Sequence, residues 1–318
     1  MQIVYLCARP EVLAGTIASV RAHMPFVDKV LVVAPAKMRE QLGAGDEQVI
    51  TDEELLGGVT PTDHKRRNFA LRTGLAVHPA VDDVFMMSDD DSRPLRALDE
   101  TTFLLDGRYR RYMFGWLDEW THNSTSFDLG EQATRQILGL FDFPRRAYAS
   151  HMPQVFEKAF LAEVADLMSV PSSLHPMDEW STYFNIAPRL HPDRFHEPEH
   201  YLTLGWPENP AVWQSTVEPG GFLFENYFPE HYGPQAVFDN IDPEDHTLEA
   251  AIEKVVRWRD YELRLLTGKR DPIVGAPAPS KRLAQSVRRT LGYAVGNPVR
   301  REQRIAVAAL LRATRRAK

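Results

Sequence analysis

The first hundred residues alternate between short apolar runs and segments whose apolar positions recur at helical spacing. Ile3 to Ala8 reads as a strand, Glu11 to His23 as a helix with Leu13, Ile17 and Val20 on one side, and Val27 to Ala34 as a second strand. Val49-Ile50 gives a short third strand. The segment from His64 to Val77 reads as a helix carrying Phe69, Leu71, Leu75 and Ala76, and Val84 to Met87 as a fourth strand. Strands separated by helices predict an α/β class, with parallel βαβ units and both faces of the sheet covered. Ligands of such sheets bind beyond the carboxyl ends of the strands, where Ala8-Arg9 and Ser88 to Asp91 fall.

Further along, Arg108 to Trp120 reads as strand followed by loop, Gln154 to Met168 as a helix after Pro153, and 177–188 as another helix. Residues 190–234 are loop and strand rich in His, Pro and aromatics. From Leu248 to Leu266 the pattern is helical again, with Ile252, Val255, Val256, Tyr261 and Leu265 spaced for one buried face. Asp271 to Ser280, with three prolines, reads as a linker. Beyond it Leu283, Val287, Leu291 and Val295 recur every four residues among arginines, Gly296-Asn297-Pro298 makes a break, and Ile305, Ala308 and Leu311 resume the stripe. Residues 281–318 therefore predict a tail of two basic amphipathic helices.

Charge sharpens this division. Residues 281–318 contain eleven Lys or Arg against one acid, Glu302, a net +10; with the whole chain at −7, residues 1–280 carry −17. The tail suits either an anionic membrane surface, where each basic residue adds about 1 kcal/mol, or docking on the acidic body or on a second copy. Nucleic acid is the least supported partner, because the body is acidic and the tail lacks interleaved aromatics. In 318 residues at 43% hydrophobic and 25% charged, the composition is that of a soluble globular protein. No stretch approaches the roughly 20 apolar residues of a spanning helix, and the N-terminal apolar run is too short for a signal peptide. The lone Cys7 excludes an internal disulfide and fits the cytoplasm.

The chemistry concentrates at Met86-Met87-Ser88-Asp89-Asp90-Asp91-Ser92, where three adjacent carboxylates follow an apolar strand. They repel one another, and burying one unpaired costs several kcal/mol. A divalent cation, Mg²⁺ or Mn²⁺, held by one or two of them and by substrate phosphates, removes both penalties. The plain alternative is a solvated turn in which Asp91 or Ser92 caps a helix starting near Pro94. His64-Lys65-Arg66-Arg67 places cations at the start of a helix, where they are locally unfavourable unless an anion such as phosphate sits there. Arg9 lies just past the first strand.

With these pieces in this order, residues 2–100 resemble glycosyltransferases of the GT-A fold. The resemblance implies a GT-A domain over 1–270, with a nucleotide-sugar half at 1–100 and an acceptor half at 101–270, then a linker at 271–280 and a helical C-terminal extension. In that family an Asp-x-Asp element ends the fourth strand and an Arg-Asn pair opens the preceding helix. Carried over, Asp89 lies near the ribose and the metal, Asp91 ligates the metal, and Arg9, Lys65, Arg67, Asn68 and Asp90 face the nucleotide. Met177-Asp178-Glu179-Trp180 resembles the family's acidic helix start beside the acceptor, so Asp178 or Glu179 deprotonates the acceptor hydroxyl or orients sugar hydroxyls. A late histidine, His231 in first place and His200 in second, is a further metal ligand, and His151 contacts a sugar. Trp116, Trp120, Trp180 and Trp206 are candidates for stacking on sugar rings. The implied activity is metal-dependent hexosyl transfer from a nucleoside diphosphate sugar, GDP-mannose or UDP-glucose, to a sugar or polysaccharide hydroxyl. Two rivals stand beside it. A nucleotidyltransferase would carry a Gly-rich loop after strand one, and Cys7-Ala8-Arg9-Pro10-Glu11 has no glycine. A carbohydrate-binding protein without turnover is the other.

Overall fold

A computed structural model describes residues 1–42, 45–120, 125–149, 151–204 and 217–266, the last five by backbone alone. The linker and basic tail expected at 271–318, and Trp206, lie outside the described residues.

Four parallel strands form the centre: β1 (Gln2–Leu6), β2 (Lys29–Ala34), β3 (Gln48–Thr51) and β4 (Val84–Asp89), in the order β4-β1-β2-β3. Each is joined to the next through helix, chiefly α1 (Pro10–His23) and α2 (His64–Gly74). The α/β class read from the sequence is the class observed. β1 sits between two neighbours and is buried along its length, with Ile3, Val4 and Tyr5 fully inaccessible. Burying an aliphatic or aromatic side chain of this kind contributes about 1.5–3 kcal/mol.

Three expectations change. Gln154 to Met168 is not one helix. Gln154–Glu157 forms an edge strand, β6, antiparallel to β4, and the helix α4 begins only at Lys158 and runs to Leu167. The Gln154 side chain accepts from the Tyr112 amide at 2.7 Å and donates to the Tyr112 carbonyl at 3.1 Å, a tertiary tie that fixes the extended form. Likewise no helix starts near Pro94. Ser92–Pro94 is a strand, β5, antiparallel to β8 (Phe224–Asn226), which pairs in parallel with β7 (Thr203–Leu204). Finally α3 (Ser126–Leu140) was not foreseen, although Thr125 and Asp128 form a reciprocal capping box at its start.

The last two long helices are α5 (Glu179–Leu190) and α6 (Leu248–Leu266). α6 has the expected span, and Val255 and Tyr261 of the expected face are buried, but two others of that face are turned outward. Ala251, Lys254, Val255 and Trp258 point inward, whereas Ile252 and Val256 are 37% and 53% exposed. Lys254 is fully buried against Glu225 of β8 at 3.1 Å, on the same inward side as Val255 and Trp258. Among the described residues no helix is long and apolar enough to cross a membrane.

Candidate active site

β1 and β4 run side by side, with Leu6 opposite Asp89, so the loop after β1 and the aspartate run after β4 meet beyond the strand ends. Asp90 turns toward that loop. One oxygen accepts from the backbone amides of Ala8 and Arg9, both at 2.8 Å, and the other from Arg9 Nη2 at 3.0 Å. The same Arg9 nitrogen donates to Asp91 at 2.6 Å. Asp89 accepts from Arg72 Nη2 at 2.6 Å, with His151 Nδ1 at 3.4 Å from its second oxygen. Two guanidinium groups and two amides thus offset much of the repulsion among the three carboxylates.

The environments of the acids differ. Burial would raise Asp89, but Arg72 and His151 outweigh it and hold the carboxyl below the usual range. For Asp91, burial first and the charges of Asp89 and Asp90 after it raise the carboxyl, against the opposing pull of His151 and Arg9. Asp91 Oδ1 is buried and has no hydrogen-bond partner among the described residues. An orphaned acceptor beside a second carboxylate is a strained arrangement for an empty site and a suitable one for a hard ion. The donors fit an ion that draws its other ligands from substrate phosphates and water. They do not fit an all-protein cage, because among the described residues no group of three His, Cys, Asp or Glu is arranged to hold a metal.

His231, expected as a third ligand, packs instead beside the rings of Phe228, Phe238 and Trp258, and burial lowers its pKa. The histidine beside the aspartates is His151, held at a left-handed φ of 49° that L-residues rarely adopt. His200 is an exposed residue of a two-residue strand paired with Tyr112–Met113.

The basic run at the start of α2 is also spent differently from the expectation. Asp63 caps the helix by accepting from the Arg66 amide at 2.9 Å, and Arg66 donates to the carbonyls of Ser173 and Leu174. Arg67 pairs with Asp52 at 2.8 Å, and the Asn68 amide lies 3.4 Å from His64. Lys65 does not face a nucleotide. It is 2% exposed, with Nζ 2.6 Å from Asp178 and 3.5 Å from Glu131, over the ring of Phe127. Burial opposes its charge, but Asp178, Glu179 and Glu131 hold it above the ordinary lysine range.

Asp178 is correspondingly unsuited to take a proton from an acceptor. It is fully buried, one oxygen caps α5 by accepting from the Ser181 amide at 2.7 Å, and the other holds Lys65. Burial alone would raise it, yet Lys65 brings the carboxyl down to about 2. The raised partner is Glu131, pushed well above the carboxylate range by burial and by Asp178. Glu179, 6% exposed, forms an ion pair with Arg72, its Oε1 lying 2.8 Å from Nε. Arg72 therefore spans from α5 to the end of β4 and lies over the Trp180 ring at 4.3 Å. Through Arg72, Glu179 acts on Asp89.

Arg72 was missing from the sequence-based site. Its signal was available: it lies seven residues after Lys65, two helical turns along the same face of α2.

Next to the aspartates opens a cleft lined by Phe114, Trp120, Phe127, His151, Tyr201, Thr203 and Asn226, with Ala149. Phe114 stacks on Tyr201 at 5.3 Å between ring centres, and Trp120 leans on Phe127 at 5.5 Å. Asn226 pairs with Ser92, the residue after Asp91, so cleft and acid cluster are contiguous. The Asn226 amide and the Thr203 hydroxyl are buried without partners among the described residues. Trp120 is the expected tryptophan that reaches this cleft; Trp180 is buried under Arg72, and Trp116 is 44% exposed beneath Arg146.

No protein-family model matches the chain, and no curated protein matches it. Among solved structures the chain is similar to the galactosyltransferase LgtC bound to donor and acceptor sugar analogues, at 12% identity and a TM-score of 0.36 over 82% of this chain and 96% of that one. An active-site mutant of LgtC gives 13% identity and a TM-score of 0.38, over 80% and 95%. Mouse xyloside xylosyltransferase 1, in its apo form, gives 9% and 0.38, over 71% and 98%. Similarity at this level carries no functional argument, and the site's own geometry must supply one.

Proposed function

We propose that this chain is a glycosyltransferase that moves a neutral hexose from a nucleoside diphosphate sugar to a hydroxyl of a sugar or polysaccharide acceptor. The observation that carries the proposal is the buried, unpartnered oxygen of Asp91 beside Asp89, next to an aromatic cleft that holds His151, 3.4 Å from Asp89, and whose Asn226 and Thr203 lack partners among the described residues. Carboxylates with unfilled acceptor capacity suit an ion completed by a diphosphate, and aromatic walls with a few polar groups suit a sugar ring. A Mg²⁺ or Mn²⁺ ion held by Asp89 and Asp91 would neutralise charge on a departing diphosphate.

The chain's own residues then divide the work. Arg9, about a third exposed, presents its guanidinium at the mouth of the acid cluster, where a phosphate oxygen is within its reach. Glu179 and Trp180 fix Arg72, and Arg72 fixes Asp89. Phe114, Trp120 and Tyr201 cover the apolar face of a ring and exclude water, while Asn226 and Thr203 take hydroxyls. GDP-mannose and UDP-glucose are the leading donors, polysaccharide synthesis the setting, and the cytoplasm the compartment that suits one buried thiol.

The test is thermal unfolding with UDP, GDP and their sugars, with and without Mn²⁺ or Mg²⁺. Ligand at about 100-fold its Kd adds roughly 2.7 kcal/mol. The gain should need nucleotide and metal together and vanish in Asp91→Asn. A gain independent of metal, or intact in that variant, overturns the proposal.

A further inference from the structure

α6 carries an apolar ridge that the described chain leaves open. Leu248, Ile252 and Val256 are 49%, 37% and 53% exposed and lie four residues apart, one above the other on the helix. Two acids border the ridge, the exposed Glu249 and Glu253, the latter also paired with Arg257 on the same helix. The opposite face is already committed to Lys254, Val255 and Trp258. A surface helix ordinarily turns a polar face outward, so an apolar ridge framed by carboxylates calls for an apolar partner framed by cations.

We infer that residues 281–295 of this same chain dock on that ridge. Leu283, Val287, Leu291 and Val295 repeat at the same four-residue interval, bordered by Lys281, Arg282, Arg288 and Arg289. Two ridges of the i±4 type interlock at a crossing angle of about −50°, a common helix-packing geometry. The charges are opposite in sign on the two sides, and the wider asymmetry, −17 for residues 1–280 against +10 for the tail, works in the same direction.

Reach also permits it. α6 is 19 residues long, and at 1.5 Å per residue spans about 28 Å. Residues 267–280 can extend to roughly 45 Å, enough to bring the tail back along the helix. A tether of that length holds the tail at an effective concentration in the millimolar range, so a modest ridge suffices to retain it. Other exposed apolar residues, such as Val170 and Leu174, lack this continuity with the tail.

The test is disulfide trapping in the full-length chain, where the single native thiol, Cys7, is buried and 1% exposed. Leu291→Cys is combined in turn with Ile252→Cys, with Val256→Cys and, as a control, with Val170→Cys, and intrachain disulfide is followed by mass spectrometry under mild oxidation. At least one α6 pair should close about tenfold faster than the control, the advantage expected of a docked over a merely tethered segment. Adding Arg288→Glu and Arg289→Glu should slow that pair to the control rate. Equal rates for all three pairs overturn the inference, as does cross-linking confined to dimers, which would make a second copy the occupant. Binding to phosphatidylserine vesicles with no excess trapping on α6 overturns it in favour of a lipid surface.

Discussion

Replacing Asp90 by alanine separates the two roles that an aspartate run can play. The substitution removes the common acceptor of the Ala8 and Arg9 amides, each at 2.8 Å, and one of the two carboxylates held by Arg9. Asp90 is 5% exposed, but Ala8 is exposed, so water recovers part of the loss at the loop. At about 1 kcal/mol for each amide left with a poorer partner and 1–2 kcal/mol for the guanidinium contact, the variant should lose roughly 3–4 kcal/mol. For a domain of this size that corresponds to a fall of about 6–16 °C in Tm. Asp90→Asn should lose only about 1 kcal/mol, because both amides converge on one oxygen that the amide side chain retains. Urea unfolding of the two variants measures both figures. A loss below about 1 kcal/mol in the alanine variant, or equal losses in the two, would refute the reading of Asp90 as the clamp between β4 and the loop after β1.

Four further outcomes follow from the same geometry. Burial and the neighbouring Asp178 raise the Glu131 carboxyl well above its ordinary value of 4.5 in the fold, so the unfolded chain gives up that proton first and stability should fall as pH rises beyond that point, by up to about 1.4 kcal/mol per unit until the folded group itself titrates. Glu131→Gln, which mimics the protonated form, should match the parent near pH 4 and exceed it near pH 7; equal urea midpoints at both pH values would count against a protonated Glu131. Arg72→Lys keeps a charge but cannot reach Asp89 and Glu179 together, so it should cost about 2–4 kcal/mol and weaken the joint metal and nucleotide gain, seen by titration calorimetry. Gly130→Ala would bring a methyl to 3.1 Å from the Lys65 side chain and should destabilise by about 1–3 kcal/mol. Gly139→Ala, on the same helix as Gly130, meets only the Arg145 side chain at 3.6 Å, an ordinary contact, and should stabilise by about 0.5–1 kcal/mol, a difference in sign that thermal unfolding resolves.

Much of the frame was legible because it is written in local patterns. The alternation of apolar strands and amphipathic helices over residues 2–89 predicts the parallel sheet, and the sheet in turn puts Arg9 and Asp89 to Asp91 at one edge. What the pattern misjudged is where long-range partners decide. Gln154 to Glu157 has enough helix propensity to read as the start of α4, yet the backbone of Tyr112 and the open edge of β4 claim it as a strand. Ile252 and Val256 belong to the right helix but the wrong face, because the side that packs carries Ala251, Val255 and Trp258 together with Lys254, which pairs with Glu225.

By itself, then, the sequence determined the fold class, the position of the aspartate run at the strand ends and the asymmetry between an acidic body and a basic tail. Each of these depends on spacing and charge count along the chain. Only the tertiary structure decided which ions meet. Lys65 and Asp178 neutralise each other in the interior, Asp90 is absorbed by two backbone amides, Arg72 joins Glu179 to Asp89, and His151 lies beside Asp89. The physical reason is that a charge's role is set by the nearest opposite charge and by its distance from water, and neither quantity is a function of sequence separation.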